Sequence, residues 1–180
     1  MIETARLIIR RFTPADLNSL AALRADKDVM RYIHTVPQTR DVVQKRIENF
    51  EVQYVERGFA QWAVDDKESN FLIGWCGFSY LDDKPPIIEI GYGFGKPHWG
   101  KGFASEAARA CLRYGFENLN FERVAAVALH ENSASRHVME KCGLTYLRDS
   151  FHWGVDVVYY EIEQANFKPA AEPYKLLAAL

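Results

Sequence analysis

A glycine-containing loop between a predicted strand and a predicted helix carries the clearest chemistry in the sequence. The loop reads Trp99-Gly100-Lys101-Gly102-Phe103-Ala104-Ser105. The first amides of a helix lack intrahelical partners and carry partial positive charge. Glycines let the backbone wrap closely around phosphate oxygens, and Lys101 adds a mobile cation. The loop therefore predicts a phosphate-binding site.

Three known phosphate loops can be compared with this run, and an ordinary glycine-rich turn is a fourth interpretation. A Walker loop requires GxxxxGK[ST], which is absent. The dinucleotide fingerprint GxGxxG fails because Ser105 stands at its third glycine, and no acid follows at the expected strand end. The acyl-coenzyme A loop, Q/R-x-x-G-x-G/A, matches at Gly102 and Ala104, with Trp99 in place of Gln or Arg.

A second polar segment, Asn132-Ser133-Ala134-Ser135, lies about 30 residues after the loop and opens a short predicted helix. Taken alone, this segment is explained by an asparagine cap at the helix start. The two segments in this order nevertheless favour a cofactor site over a plain turn. Glu89, on the strand before the loop, is a candidate general base, and pairing with a Lys or Arg is its structural alternative.

The elements that must position these residues follow from hydrophobic periodicity and from turn residues. The predicted order is βααβββαβαββ, an α/β fold with a mainly antiparallel sheet of about seven strands and about four helices. Predicted strands cover 6–12, 59–65, 71–81, 87–94, 124–129, 144–147 and 155–162, and predicted helices begin at Thr13 and cover 39–57, 103–119 and 133–142. On the helix at 103–119, Glu106 and Arg113 fall on the face predicted to meet solvent.

Composition excludes several classes of protein. The chain has 180 residues, 22 Lys plus Arg and 24 Asp plus Glu, so its formal net charge is −2. This balance disfavours nucleic acid and membrane surfaces as partners. The sequence contains no CxxC pair and no His/Cys/Asp cluster, so we expect no metal. Three scattered cysteines and the absence of a long apolar run predict a cytoplasmic protein.

With these motifs in place, the sequence resembles the GNAT superfamily of N-acetyltransferases, in particular the ribosomal-protein serine and alanine N-acetyltransferase branch. The resemblance covers residues 4 to about 163, so we expect a GNAT-like domain at 1–163 and a tail at 164–180 without an assigned role. The matching segments are Thr4-Ala5-Arg6-Leu7-Ile8-Ile9-Arg10, Glu89-Ile90-Gly91-Tyr92, Trp99 to Ala107, Asn132-x-x-Ser135 and Glu140-Lys141-Cys142-Gly143-Leu144.

The resemblance implies acetyl-CoA as acyl donor and a primary amine as acceptor, either a protein N-terminus or a small molecule. It implies that the fourth and fifth predicted strands run parallel and splay apart, with the pantetheine arm on the backbone of Tyr92 and Phe94. The amides of Trp99, Gly100, Lys101, Gly102, Phe103, Ala104 and Ser105 would hold the pyrophosphate. Asn132 would bind the pantetheine near the thiol, and Ser135 would lie close to the sulfur.

One position departs from the family pattern. Many GNAT enzymes place a Tyr seven residues after the Asn as general acid for the thiolate, and here that position is Met139. The acid is therefore left open between Ser135, another side chain such as Tyr146, and water. We expect acetyl transfer by direct attack with Glu89, Asn132 and Ser135 as catalytic residues. The alternative is a weakly active or inactive acyl-CoA-binding sensor, and a monomer or homodimer fits either hypothesis.

Overall fold

The computed structural model describes residues 1–33, 36–171 and 173–177, and its elements follow the predicted order. The strands are β1 (Ile2–Thr4), β2 (Leu7–Arg10), β3 (Gln61–Asp66), β4 (Phe71–Tyr80), β5 (Ile88–Phe94), β6 (Arg123–Leu129), β7 (Thr145–His152), β8 (Val155–Glu163) and β9 (Tyr174–Leu176). The helices are α1 (Leu17–Ala25), α2 (Lys27–Met30), α3 (Arg40–Arg57), α4 (Phe103–Glu117) and α5 (Ser133–Lys141).

Within the described residues, the strands form one sheet in the order β7-β8-β6-β5-β4-β3-β2-β1-β9. Adjacent strands in this sheet are antiparallel, except that β5 and β6 run parallel and are joined through α4. The mixed α/β fold and its parallel pair are therefore confirmed. None of the described helices is long and apolar enough to span a bilayer.

The structure adds short elements that hydrophobic periodicity could not predict. Strands β1 and β9 have three residues each, which is too few for an alternating pattern to be recognised. Strand β7 extends to His152 rather than ending at Leu147, because pairing with β8 orders residues that remain mostly exposed. Helix α2 is a single turn, and the side chain of Asp26, the residue before it, caps its start.

The segment after Gln164, which had no assigned role, returns to the sheet. Its strand β9 pairs antiparallel with β1, with Tyr174 opposite Thr4 and Leu176 opposite Ile2. The aromatic ring of Phe167 lies 4.9 Å from that of Phe116 on α4. This return covers the outer edge of β1, which would otherwise present unpaired backbone groups.

Helix α4 packs closely on the sheet, as its small residues predict. A Cβ added at Gly115 would lie 2.9 Å from the ring of Phe78 on β4, so glycine permits the close approach. Phe78 and Phe121 meet edge to face with ring centroids 5.0 Å apart. The position of α4 fixes where its first turn, and therefore the glycine loop, meets the sheet.

Glu106 corrects the prediction that this face of α4 meets solvent. Its side chain is buried and accepts hydrogen bonds from Thr4 Oγ1 at 2.6 Å, from the Arg6 amide at 2.9 Å and from Arg6 Nε at 2.7 Å. Arg113, by contrast, pairs with Glu117 at the surface. The carboxylate of Glu106 thus ties the connection between β1 and β2 to the first turn of α4.

We expect Glu106→Ala to lower the free energy of unfolding by about 2 kcal/mol, because it leaves a buried hydroxyl and an amide without their acceptor. Urea unfolding monitored by circular dichroism measures the change. Glu117→Ala is the matched control on the same helix, and we expect it to change stability by about 0.5 kcal/mol or less. Equal effects of the two substitutions would contradict the assigned role of Glu106.

Candidate active site

The glycine loop adopts the conformation that an anion cradle needs. Gly100 and Gly102 have φ of +71° and +82°, values that favour glycine. Gly102 is the N-cap of α4 and provides no side chain to cap it, so the first amides of the helix are left open. The first hydrogen bond of the helix runs from the Glu106 amide to the Gly102 carbonyl at 3.0 Å.

Two side chains brace this loop from outside. Arg6 donates through Nη1 to the Lys101 carbonyl at 2.9 Å, and its guanidinium lies 4.4 Å from the centre of the Phe103 ring. Trp99 donates through Nε1 to the Phe94 carbonyl at 2.6 Å, which holds the loop against the end of β5. Lys101 remains exposed beside them. The loop is therefore shaped before any ligand arrives.

Helix packing buries the far end of the predicted phosphate loop. Ser105 is buried, and its carbonyl accepts a hydrogen bond from Cys142 Sγ at 3.7 Å. Ala104 is half-buried. These two residues can therefore contribute their backbone amides, rather than their side chains, to an anion site.

The gap between β5 and β6 is set by their short pairing. These strands share one registered pair, Glu89 with Ala125, whereas β4 and β5 are paired along the whole of β5. The Gly95 amide donates to the Ile73 carbonyl, so the odd-numbered residues of β5 bond to β4. By antiparallel alternation, the backbone groups of Tyr92 and Phe94 point away from β4, toward the gap.

The side-chain hydroxyl of Tyr92 contacts α5, whereas the resemblance implied a role only for the backbone of this residue. Its phenol oxygen lies 3.0 Å from Ser135 Oγ and 3.0 Å from the Ser135 carbonyl. Burial raises the pKa of Tyr92, so the phenol keeps its proton at neutral pH. Asn132 caps α5 by accepting from the Ser135 amide at 3.1 Å, which leaves its side-chain NH2 group for another partner.

The other groups discussed as proton donors lie in different surroundings. Met139 is buried in the core, which explains an apolar side chain there. Tyr146 is half exposed and donates to Asp149 at 3.0 Å, and this hydrogen bond to a carboxylate raises its pKa. The structure thus pairs Ser135 with Tyr92, not with Tyr146.

Glu89 points to the opposite face of the sheet from Tyr92, as period-two alternation requires. It accepts a hydrogen bond from Ser79 Oγ at 2.9 Å and lines a cavity of about 540 Å3 beneath α3. Burial raises the pKa of Glu89 to about 8, more than the Ser79 hydrogen bond lowers it. Glu89 forms no ion pair with a Lys or Arg among the described residues, in contrast to the structural alternative considered for it. Because its pKa is about 8, the carboxyl is mostly protonated at neutral pH.

Sequence analysis missed several polar residues around this cavity. Gln61 and Arg46 line it together with Trp153 of the β7–β8 turn. Near the same turn, His152 forms hydrogen bonds through Nε2 with Ser150 Oγ at 2.9 Å and through Nδ1 with Asp82 at 2.8 Å. These residues come from distant parts of the chain, so no local motif marks them.

Potential metal-ligating side chains do not cluster within the described residues 1–33, 36–171 and 173–177. Among the residues described in the structure, no three His, Cys, Asp or Glu side chains lie together in a way that could hold an ion. All three cysteines, Cys76, Cys111 and Cys142, are buried and form no disulfide.

Comparisons with known proteins agree with this geometry. Residues 6–145 match the model of the acetyltransferase (GNAT) domain family. The chain is 37% identical over 136 residues to the uncharacterized N-acetyltransferase p20 of Bacillus licheniformis, covering 74% of this chain and 76% of that protein.

Solved structures share the architecture as well. A GNAT-family acetyltransferase from Bacillus anthracis superposes with a TM-score of 0.78 at 30% identity, covering 91% of this chain and 98% of that one. The ribosomal-protein-S5-alanine acetyltransferase of Vibrio fischeri has a TM-score of 0.78 at 17% identity, with 93% and 98% covered, and shares the fold. From the family match over most of its length, we conclude that this chain belongs to the GNAT family of acetyl-CoA-dependent N-acetyltransferases.

Proposed function

We propose that the enzyme transfers the acetyl group of acetyl-CoA to a primary amine by direct attack within a ternary complex. One observation carries this proposal: the gap between β5 and β6 adjoins the hydroxyl pair of Tyr92 and Ser135 on one face and the Glu89 cavity on the other. A thioester lying in the gap would reach both, so that cofactor and acceptor approach from opposite sides of the sheet.

The cofactor would lie along groups that are free to bind it. The diphosphate would rest on the amides from Trp99 to Ser105, where the helix N-terminus favours an anion. The pantetheine arm would extend the sheet by bonding to the backbone of Tyr92 and to the Phe94 amide. The side-chain NH2 group of Asn132 would donate to it near the thiol end.

The acceptor would enter the cavity beneath α3 and lose its proton to Glu89, directly or through a water. A base with a pKa of about 8 is well matched to removing a proton from an ammonium group near neutral pH. The free amine then attacks the thioester carbonyl. The Tyr92 amide, the first on β5 to face the gap beyond its pairing with β6, would stabilise the oxyanion.

Collapse of the intermediate breaks the carbon–sulfur bond and leaves a coenzyme A thiolate. The Tyr92 phenol would supply a proton to it through Ser135 Oγ, since the two oxygens are already in hydrogen-bond contact. The nitrogen would lose its extra proton to solvent as the amide forms, and solvent would return a proton to the Tyr92 phenolate. A thiolate needs only modest help, because its conjugate acid has a pKa of roughly 8.5 by analogy with cysteine. The remaining predictions are a cytoplasmic enzyme whose partners are acetyl-CoA and the amine.

The test of this function is thiol release from acetyl-CoA with a panel of acceptors: amino acids, polyamines, aminoglycosides and N-terminal peptides. We expect turnover with at least one class and stabilisation of the protein by acetyl-CoA but not by NADPH in thermal denaturation. Binding of acetyl-CoA without turnover of any amine would support the sensor alternative. Stabilisation by NADPH alone would overturn both.

Gly102→Glu tests the diphosphate position. The substitution places a carboxylate at the start of α4 in a backbone conformation that disfavours it, so we expect coenzyme A to bind on the order of ten-fold more weakly or worse. Isothermal titration calorimetry measures the change. Gly58→Glu, at φ of +79° on the end of α3, is the control with similar backbone strain. Equal affinity in both variants would place the diphosphate elsewhere.

Glu89→Gln tests the base. The carboxylate is the active form, so kcat of the unmodified enzyme should rise with pH through about 8. The assay uses an acceptor amine of low pKa, so that ionisation of the acceptor does not overlap with ionisation of Glu89. We expect the variant to lose about 100-fold in kcat and to lose the rising limb. An unchanged pH profile in Glu89→Gln would exclude Glu89 as the base.

Tyr92→Phe tests the proton donor. We expect kcat to fall about ten-fold with little change in the KM for acetyl-CoA, because the phenol acts on the leaving thiolate rather than on binding. Tyr146→Phe is the matched control, since it removes a phenol that contacts Asp149 instead. A loss of similar size in both variants would argue against the Tyr92 relay.

A further inference from the structure

Neither of two arginines near the Glu89 cavity forms an ion pair with a residue that the structure describes. Arg24, at the end of α1, is only 3% exposed, and its guanidinium lies 4.2 Å from the centre of the Trp75 ring. Its hydrogen bonds to described residues are two long contacts of 3.5 Å, to the side-chain oxygens of Gln38 and Gln61. Its buried Nε has no partner.

The second arginine, Arg46 on α3, lines the cavity itself. Its Nε is also buried without a partner in the described part of the chain. Burial lowers the pKa of Arg46, and the charge of Asp83 raises it only in part. Burial and then the like charge of Arg46 lower the pKa of Arg24 to about 9, so Arg24 remains charged at neutral pH and lies near Arg46.

This arrangement is unfavourable unless an anion joins it. Buried charges in proteins are normally paired, and two like charges together raise the cost of burial. In contrast, Arg10 on β2 is bonded to both Asp16 and Asp65. Arg24 and Arg46 form no comparable ion pair within the described residues.

The cavity also connects the arginines to the candidate base. Arg46, Gln61 and Glu89 all line it, and Arg24 contacts Gln61 from behind. Lys45 adds a further cation to the lining. The exposed Asp83 also lines the cavity and offsets part of this positive charge, whereas Glu89, mostly protonated at neutral pH, offsets little. A ligand in the cavity thus meets positive charge on the α3 side and a proton acceptor on the sheet.

We propose, resting on the proposed function, that the acceptor is a small amine carrying a carboxylate, as in an amino acid. The carboxylate binds Arg46, with Arg24 as the second cation, and the amine lies toward Glu89. Guanidinium groups suit this role because their planar donors match the two oxygens of a carboxylate. The same charges repel a polyamine, whose several ammonium groups would enter a positive cavity.

Matched acceptors test the proposal: several amino acids, the amines that remain when their carboxylate is removed, their phosphonate analogues, and spermidine. We expect kcat/KM for the preferred amino acid to exceed that of its decarboxylated amine by about 30-fold, the size of a charge-assisted pair. Spermidine should be a poor acceptor. Equal or better turnover of decarboxylated amines, or preference for phosphonates, would overturn the carboxylate while leaving acetyl transfer intact.

Arg46→Gln should abolish this preference, lowering kcat/KM for the amino acid while leaving the decarboxylated amine and the KM for acetyl-CoA unchanged. Arg40→Gln removes the same charge from the exposed start of α3 and should keep the preference. Losing turnover of both acceptors equally in Arg46→Gln would assign Arg46 a structural role only.

A binding measurement covers the case in which no acceptor turns over. N-acetylated amino acids, added with coenzyme A, should raise the melting temperature of the unmodified protein and of Arg40→Gln but not of Arg46→Gln. The corresponding N-acetylated amines without a carboxylate should raise none of them. Absence of a carboxylate-dependent shift in the unmodified protein would refute the proposal independently of catalysis.

Discussion

The early end of pairing between β5 and β6 is the constraint on which the rest of the candidate site depends. Parallel strands need a crossover, and here the crossover helix α4 begins at the glycine loop immediately after β5. Because pairing is registered only at Glu89 and Ala125, the backbone of β5 beyond Gly91 keeps hydrogen-bonding groups that face the gap. The gap and the open amides of α4 therefore arise from the same connection, and a long ligand can use both.

The buried carboxylate of Glu106 links this site to the far side of the sheet. It fixes Thr4 and Arg6, and Arg6 in turn holds the Lys101 carbonyl and covers Phe103. The N-terminal segment thus stabilises a loop about 95 residues away in sequence. A loop held in this way loses little conformational freedom when it binds an anion, so more of the binding energy is available for affinity.

Charge is distributed differently on the two sides of the gap. The α5 side presents neutral hydroxyls, Tyr92 and Ser135, that suit a leaving thiolate needing one proton. The α3 side presents Glu89, whose pKa is raised, in a cavity that Arg46, Lys45 and Asp83 also line. In the proposed mechanism, this arrangement would separate acceptor recognition on one face from cofactor binding on the other, and both would meet at β5.

The sequence alone determined the α/β class, the element order, the glycine loop and the Asn132 cap, because each depends on local spacing of a few residues. Prediction of Glu106 as exposed was wrong, since one carboxylate can be buried when residues from β1 and β2 donate to it, and helical periodicity contains no information about those strands. The Tyr92–Ser135 contact, the return of β9 to β1 and the cavity with Arg24, Arg46 and Gln61 likewise combine segments far apart in the chain. Only tertiary packing brings such segments together, because side-chain burial and hydrogen bonding depend on neighbours that sequence spacing does not specify.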